Sequence, residues 1–131
     1  MDRGADPGNG DLMLIVIAHG STKSEWRDSV EGLIASVQNN SGGDAVRLAY
    51  MDHGPPTLVD VLAEAVEKGI TTIRILPLFL TDEGHVTGDI GPIVEDARAR
   101  FGHIDVELLP AVGKHPLFRE LLLAIISQSD D

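Results

Sequence analysis

The chain has 131 residues, enough for one domain with its own core and too few for two ordinary ones. Hydrophobic residues make up 43% of it and there is no cysteine, which excludes a disulfide framework, an iron–sulfur cluster and thiolate ligation of a metal. A net charge of −11 argues against a nucleic-acid partner, because phosphate binding needs a basic face.

Residues 1–11 are polar, Gly-rich and acidic, without the apolar stretch of a secretory leader, and read as a flexible N-terminal segment. Leu12–Ala18 (LMLIVIA) is a continuous apolar run, the pattern of a central strand buried on both faces, and it ends in His-Gly-Ser. Ser24 reads as the cap of a helix running to about Asn39, with Val30, Leu33, Ile34 and Val37 on one face. Ala45–Met51 alternates more, as an outer strand would. Thr57 is placed to cap a helix over Leu58–Lys68 that stops at Gly69. Thr72–Leu78 is a third strand rich in β-branched residues, followed by a loop from Phe79 to Gly88 and a helix from about Pro92 to Phe101. Ile104–Leu109 makes the fourth strand. Pro116–Ser127 makes the last helix, with Leu117, Leu121 and Ile125 in helical register and residues 128–131 fraying.

Strands alternating with helices imply a parallel sheet covered on both faces by right-handed crossovers. The expected fold is a single α/β domain over 12–127, flavodoxin-like, with four strands in the order 2-1-3-4. No apolar run approaches the length of a membrane span, so a cytoplasmic address without membrane association is expected. A four-stranded sheet is small for its class, and a homodimer is expected to cover what it leaves open.

In such sheets ligands bind beyond the carboxyl ends of the strands, where strand order reverses. In the order 2-1-3-4 that point lies between strands one and three. The loop after strand one holds His19, Gly20 and Ser21, and the loop after strand three holds Asp82, Glu83, Gly84 and His85. Two imidazoles distant in sequence are therefore expected to meet as metal ligands. Imidazole suits Co²⁺, Ni²⁺, Fe²⁺ or Zn²⁺. Two protein ligands leave several coordination positions open, which favours an ion held for transfer over a structural clamp. Gly20 and Gly84 remove bulk beside the histidines, so that a flat ligand can approach.

The segments LIVIAHGS (14–21), PLFLTDEGHVTGDI (77–90) and GKHPLFRELL (113–122) resemble the small sirohydrochlorin cobaltochelatases, the short CbiX-like members of the class II chelatases. The resemblance runs from about Leu12 to Ile126. It implies a homodimeric α/β lyase that places Co²⁺, or in relatives Ni²⁺ or Fe²⁺, into a tetrapyrrole of cobalamin biosynthesis without a nucleotide. The metal is thus a substrate, and the histidines implied to bind it are His19 and His85. Thr22 and Pro55 stand where many relatives carry Arg and Glu. A metal carrier that has lost turnover is the alternative reading.

Around the metal pair, Glu83 is a candidate catalytic acceptor of the pyrrole protons released on metallation. Ser21, Lys23, Gly84 and Lys114 are candidate substrate-binding residues, the lysines for the carboxylates of the macrocycle, with Arg27 and Arg119 a turn further on. His53 and His115 read more simply as a loop residue and a helix-entry residue, His103 as structural, Asp89 as a helix cap and Trp26 as a packing residue.

Overall fold

The computed structural model describes residues 12–41, 46–81 and 86–129. Its elements are β1 (Leu12–Ala18), α1 (Ser24–Ser41), β2 (Val46–Tyr50), α2 (Leu58–Glu67), β3 (Thr72–Pro77), a π-helical turn (Val86–Ile90) leading into α3 (Gly91–Arg100), β4 (Asp105–Leu108), a 3₁₀ turn (Val112–Lys114) and α4 (Pro116–Ser129). The four strands form one parallel sheet in the order β2-β1-β3-β4. This is the 2-1-3-4 order expected from the sequence.

The apolar run of β1 is central because it is buried on both sides. Met13, Ile15 and Ile17 point into the larger core, with Ile73 and Ile75 of β3, Val106 of β4, and Leu58, Val61, Leu62 and Ala65 of α2. Val94 and Ala97 of α3 close the same layer. On the opposite face Val16 meets Val46 and Ile34, with Leu14, Leu48, Leu76 and Leu78 only partly buried around them. The α2 helix starts where Thr57 predicts. The Thr57 side chain accepts from the Asp60 backbone N–H, and the Asp60 carboxylate accepts from that of Thr57, a reciprocal capping box.

Several expectations are corrected. Ser24 is the first residue of α1, not its cap; one turn earlier, the Ser21 hydroxyl accepts from the Lys23 N–H at 3.0 Å. On α1 Val30 and Ile34 are buried, while Leu33 and Val37 are exposed, because the helix covers a narrow strip of β1 and β2. Asp89 does not cap α3. It lies in the π-helical turn, and Ile90, without a side-chain cap bond, precedes the helix. α4 runs on to Ser129.

Candidate metal centre

The sheet register dictates what surrounds His19. Ala18 is level with Tyr50, and Ile17 is level with Pro77. Two residues further along the parallel strands, Gly20 comes level with Asp52 and His19 with Phe79. The contacts follow. The Gly20 N–H donates to Asp52 Oδ1 at 2.8 Å. The His19 and Phe79 rings lie 4.8 Å apart, tilted by 35°. The Met51 N–H donates to Ala18 O and the Leu78 N–H to Ile17 O, both at 2.8 Å, so the loops leave β2 and β3 tied to the end of β1.

His19 is held from three sides. Its carbonyl accepts from the Trp26 indole N–H at 2.9 Å, which fixes the backbone against α1. Phe79 supports the ring. Asp52 Oδ2 lies 3.6 Å from Nδ1, just outside hydrogen-bond length, so the carboxylate attracts that nitrogen without binding it tightly. A carboxylate beside Nδ1 favours the tautomer that carries its proton on Nδ1 and its lone pair on Nε2, the usual arrangement behind a metal-binding imidazole. Both side chains are about half exposed, at 43% and 46%, so a ligand in solvent reaches them.

Gly20 is required by geometry. A Cβ at this position would sit 2.0 Å from the Asp52 carbonyl oxygen, so only glycine lets the β1 and β2 loops approach so closely. Beyond Asp52 the chain turns sharply, with His53 at φ 61° and Gly54 at φ 134°. His53 is exposed in this turn, while its neighbour Asp52 points back to His19. Asp52 is the residue that sequence reasoning missed. A single acidic residue after a strand resembles any solvated loop residue, and only its place at the same end of the sheet as His19 marks it out.

Lys23 and Lys114 are exposed at the carboxyl end of the sheet. The 3₁₀ turn bearing Lys114 is fixed there by the Gly113 N–H donating to Phe79 O at 3.0 Å. Arg27 is drawn to Tyr50, its guanidinium 5.9 Å from the ring centre, and Arg119 pairs with Glu120 at 3.2 Å. His115 Nδ1 accepts from the Leu117 N–H at 3.0 Å, a helix-entry bond. His103 is exposed at the opposite end, ahead of β4. Asp82, Glu83, Gly84 and His85 lie outside the described residues. Among the described residues no group of three His, Cys, Asp or Glu side chains is arranged to hold a metal, so the site built here is the His19–Asp52 pair.

The family model CbiX matches residues 13–129. The chain is 28% identical over 114 residues to the sirohydrochlorin cobaltochelatase of Methanococcoides burtonii, covering 85% of this chain and 87% of that protein. The fold is similar to that of a CbiX protein from Marinobacter aquaeolei VT8, with a TM-score of 0.76 and 24% identity over 90% of this chain and 96% of the other. It is also similar to the sirohydrochlorin chelatase SirB from Bacillus subtilis subspecies spizizenii, whose structure was solved in complex with cobalt. There the TM-score is 0.68 and the identity 18%, over 75% of this chain and 42% of SirB.

Proposed function

The chain belongs to the CbiX family, and on that premise we propose that it is a chelatase inserting a divalent metal ion into sirohydrochlorin or a closely related tetrapyrrole. Co²⁺ is the preferred ion, with Ni²⁺ and Fe²⁺ as substitutes that imidazole also accepts. The observation that carries this reading is the half-exposed His19 imidazole, backed by Asp52 and Phe79 at the carboxyl end of the central strand. An exposed, oriented imidazole with a carboxylate behind it captures a borderline cation but leaves most coordination positions to another ligand.

In this account His19 and His85 bring the ion to one face of the macrocycle. His85 stands four residues after Thr81, in the loop that leaves β3 beside Phe79, the residue that touches His19. As the ion enters, it exchanges protein and water ligands for four pyrrole nitrogens, and two N–H protons leave the ring. Asp52 and Glu83 are the proton acceptors assigned to this step. The cavity beside the site, lined by Met51, Asp89 and Ile90 among others, has a volume of about 100 Å³. That is well below the size of a usual ligand pocket; the ring is assigned instead to the open end of the sheet. There Ser21, Gly84, Lys23 and Lys114 contact it, the two lysines meeting its carboxylates. No helix among the described residues is long and apolar enough to cross a membrane. We place the enzyme in the cytoplasm as a homodimer.

The test is an absorbance assay of sirohydrochlorin with Co²⁺, Ni²⁺ and Fe²⁺ in turn. Multiple turnovers, fastest with Co²⁺, are expected. Stoichiometric ion binding without turnover would replace the enzyme by a metal carrier.

A further inference from the structure

Trp26 is the single tryptophan of the chain, and its sequence position reads as that of a packing residue. The structure corrects this. The side chain is 46% exposed in the first turn of α1, although burying an indole is among the larger gains open to a chain with only 4% aromatic residues. A lone exposed aromatic is ordinary, but the way this one is held is not. Its indole N–H donates to the carbonyl of His19 at 2.9 Å, seven residues back, so the ring is fixed beside the metal-binding imidazole.

The surroundings of Trp26 suit one kind of ligand. The Arg27 N–H donates to the Lys23 carbonyl at 3.4 Å, so the helical turn already starts at Lys23. Lys23 and Trp26, three residues apart, are therefore neighbours on its surface, an exposed ammonium next to an exposed indole. On the other flank Phe79 touches the His19 ring, and the next residue, Leu80, is 67% exposed. Both segments beside His19 thus present an apolar side chain to solvent.

We propose that Trp26 is a substrate-binding residue whose indole packs against the periphery of the macrocycle. The inference rests on the chelatase reading above and adds a specificity-determining residue to that site. A planar macrocycle takes its metal at the centre, so with the ion on His19 the ring extends past the imidazole on every side. It needs apolar contact under its carbon framework and a cation at its carboxylate-bearing rim, which Trp26 and Lys23 supply side by side. Indole suits the first task because it covers a large area with two side-chain torsions, and the hydrogen bond to His19 has already restricted these.

Contact with the macrocycle and support of the His19 backbone separate by substitution. Trp26→Phe keeps an aromatic face and discards the N–H, whereas Trp26→Ala discards both. Each variant is titrated with metal-free sirohydrochlorin and, separately, with Co²⁺, and its KM and kcat for metallation are measured. Trp26→Ala is expected to weaken sirohydrochlorin binding and raise its KM on the order of tenfold, and Trp26→Phe by less than about threefold. Co²⁺ affinity is expected to stay within about threefold of the unmodified protein in both, which also shows that they fold. Equal macrocycle losses in the two variants, or a Co²⁺ loss as large as the macrocycle loss, would reduce Trp26 to a support for His19 and overturn the proposal. An unchanged KM in Trp26→Ala would overturn it too, and leave the chelatase reading standing. An unmodified protein that binds no sirohydrochlorin overturns both.

Discussion

At the scale of single residues, the proposed metal capture depends on His19 and on what holds it. His19→Ala and His85→Ala are each expected to weaken Co²⁺ binding at least about tenfold, on the order of 1.4 kcal/mol, whereas His103→Ala, at the far end of the sheet, leaves it unchanged. Isothermal titration calorimetry distinguishes these outcomes, and equal losses at all three positions would remove the assignment. Asp52→Asn keeps the acceptor for the Gly20 N–H but discards the charge beside Nδ1, and is expected to cost about tenfold in Co²⁺ affinity. Gly20→Ala acts differently. Its methyl would collide with the Asp52 carbonyl, and it is expected to destabilise the fold by about 2 kcal/mol, read as a lowered midpoint in urea unfolding.

At the scale of elements, the strands were legible because each announces itself chemically. LMLIVIA is apolar throughout and becomes the central strand, while the alternating VRLAY becomes the edge. Thr57 and Asp60 spell a capping box, and Thr57→Ala is expected to cost about 1 kcal/mol through loss of that cap. Tertiary context overrode local pattern elsewhere. Leu33 and Val37 belong to the apolar stripe of α1 by spacing, yet the sheet beneath is too narrow to receive them. Asp52 was invisible for a related reason. Its role comes from the register that brings β2 level with β1, a relation between strands that neither segment encodes alone.

Tyr50 joins these elements and gives them a pH dependence. It is buried at the end of β2, and its hydroxyl donates to Glu31 Oε2 at 2.7 Å. Burial, and then the Glu31 carboxylate, raise its pKa above the ordinary tyrosine value, with Arg27 opposing. A folded-state pKa above the unfolded one means that the neutral phenol stabilises the fold. That contribution is complete below about pH 10, the unfolded value, and is lost as pH rises through the higher folded value. Urea unfolding is expected to show declining stability across that alkaline window, with a shallower decline in Tyr50→Phe.

At the scale of the whole molecule, the sheet order brings the end of β1 between the ends of β2 and β3, and this is what assembles His19, Asp52 and Phe79 from three separate stretches of sequence. The fold class was readable in advance because strand–helix alternation fixes it, and the same strand order sets His19 where the rule for parallel sheets expects a ligand. The exposure of α4 was not readable, since Leu117, Leu121 and Ile125 have helical spacing whatever surface they eventually meet. Light scattering at tens of micromolar is expected to give twice the 14.0 kDa chain mass.

The most direct test of the central claim is the initial rate of sirohydrochlorin metallation with excess Co²⁺, measured for the unmodified protein, His19→Ala and His85→Ala against a protein-free control. The unmodified chain is expected to give a rate well above the control, with a fall of at least about a hundredfold, near 2.7 kcal/mol, in each histidine variant. A rate equal to the control, or one that both substitutions leave unchanged, would contradict the claim.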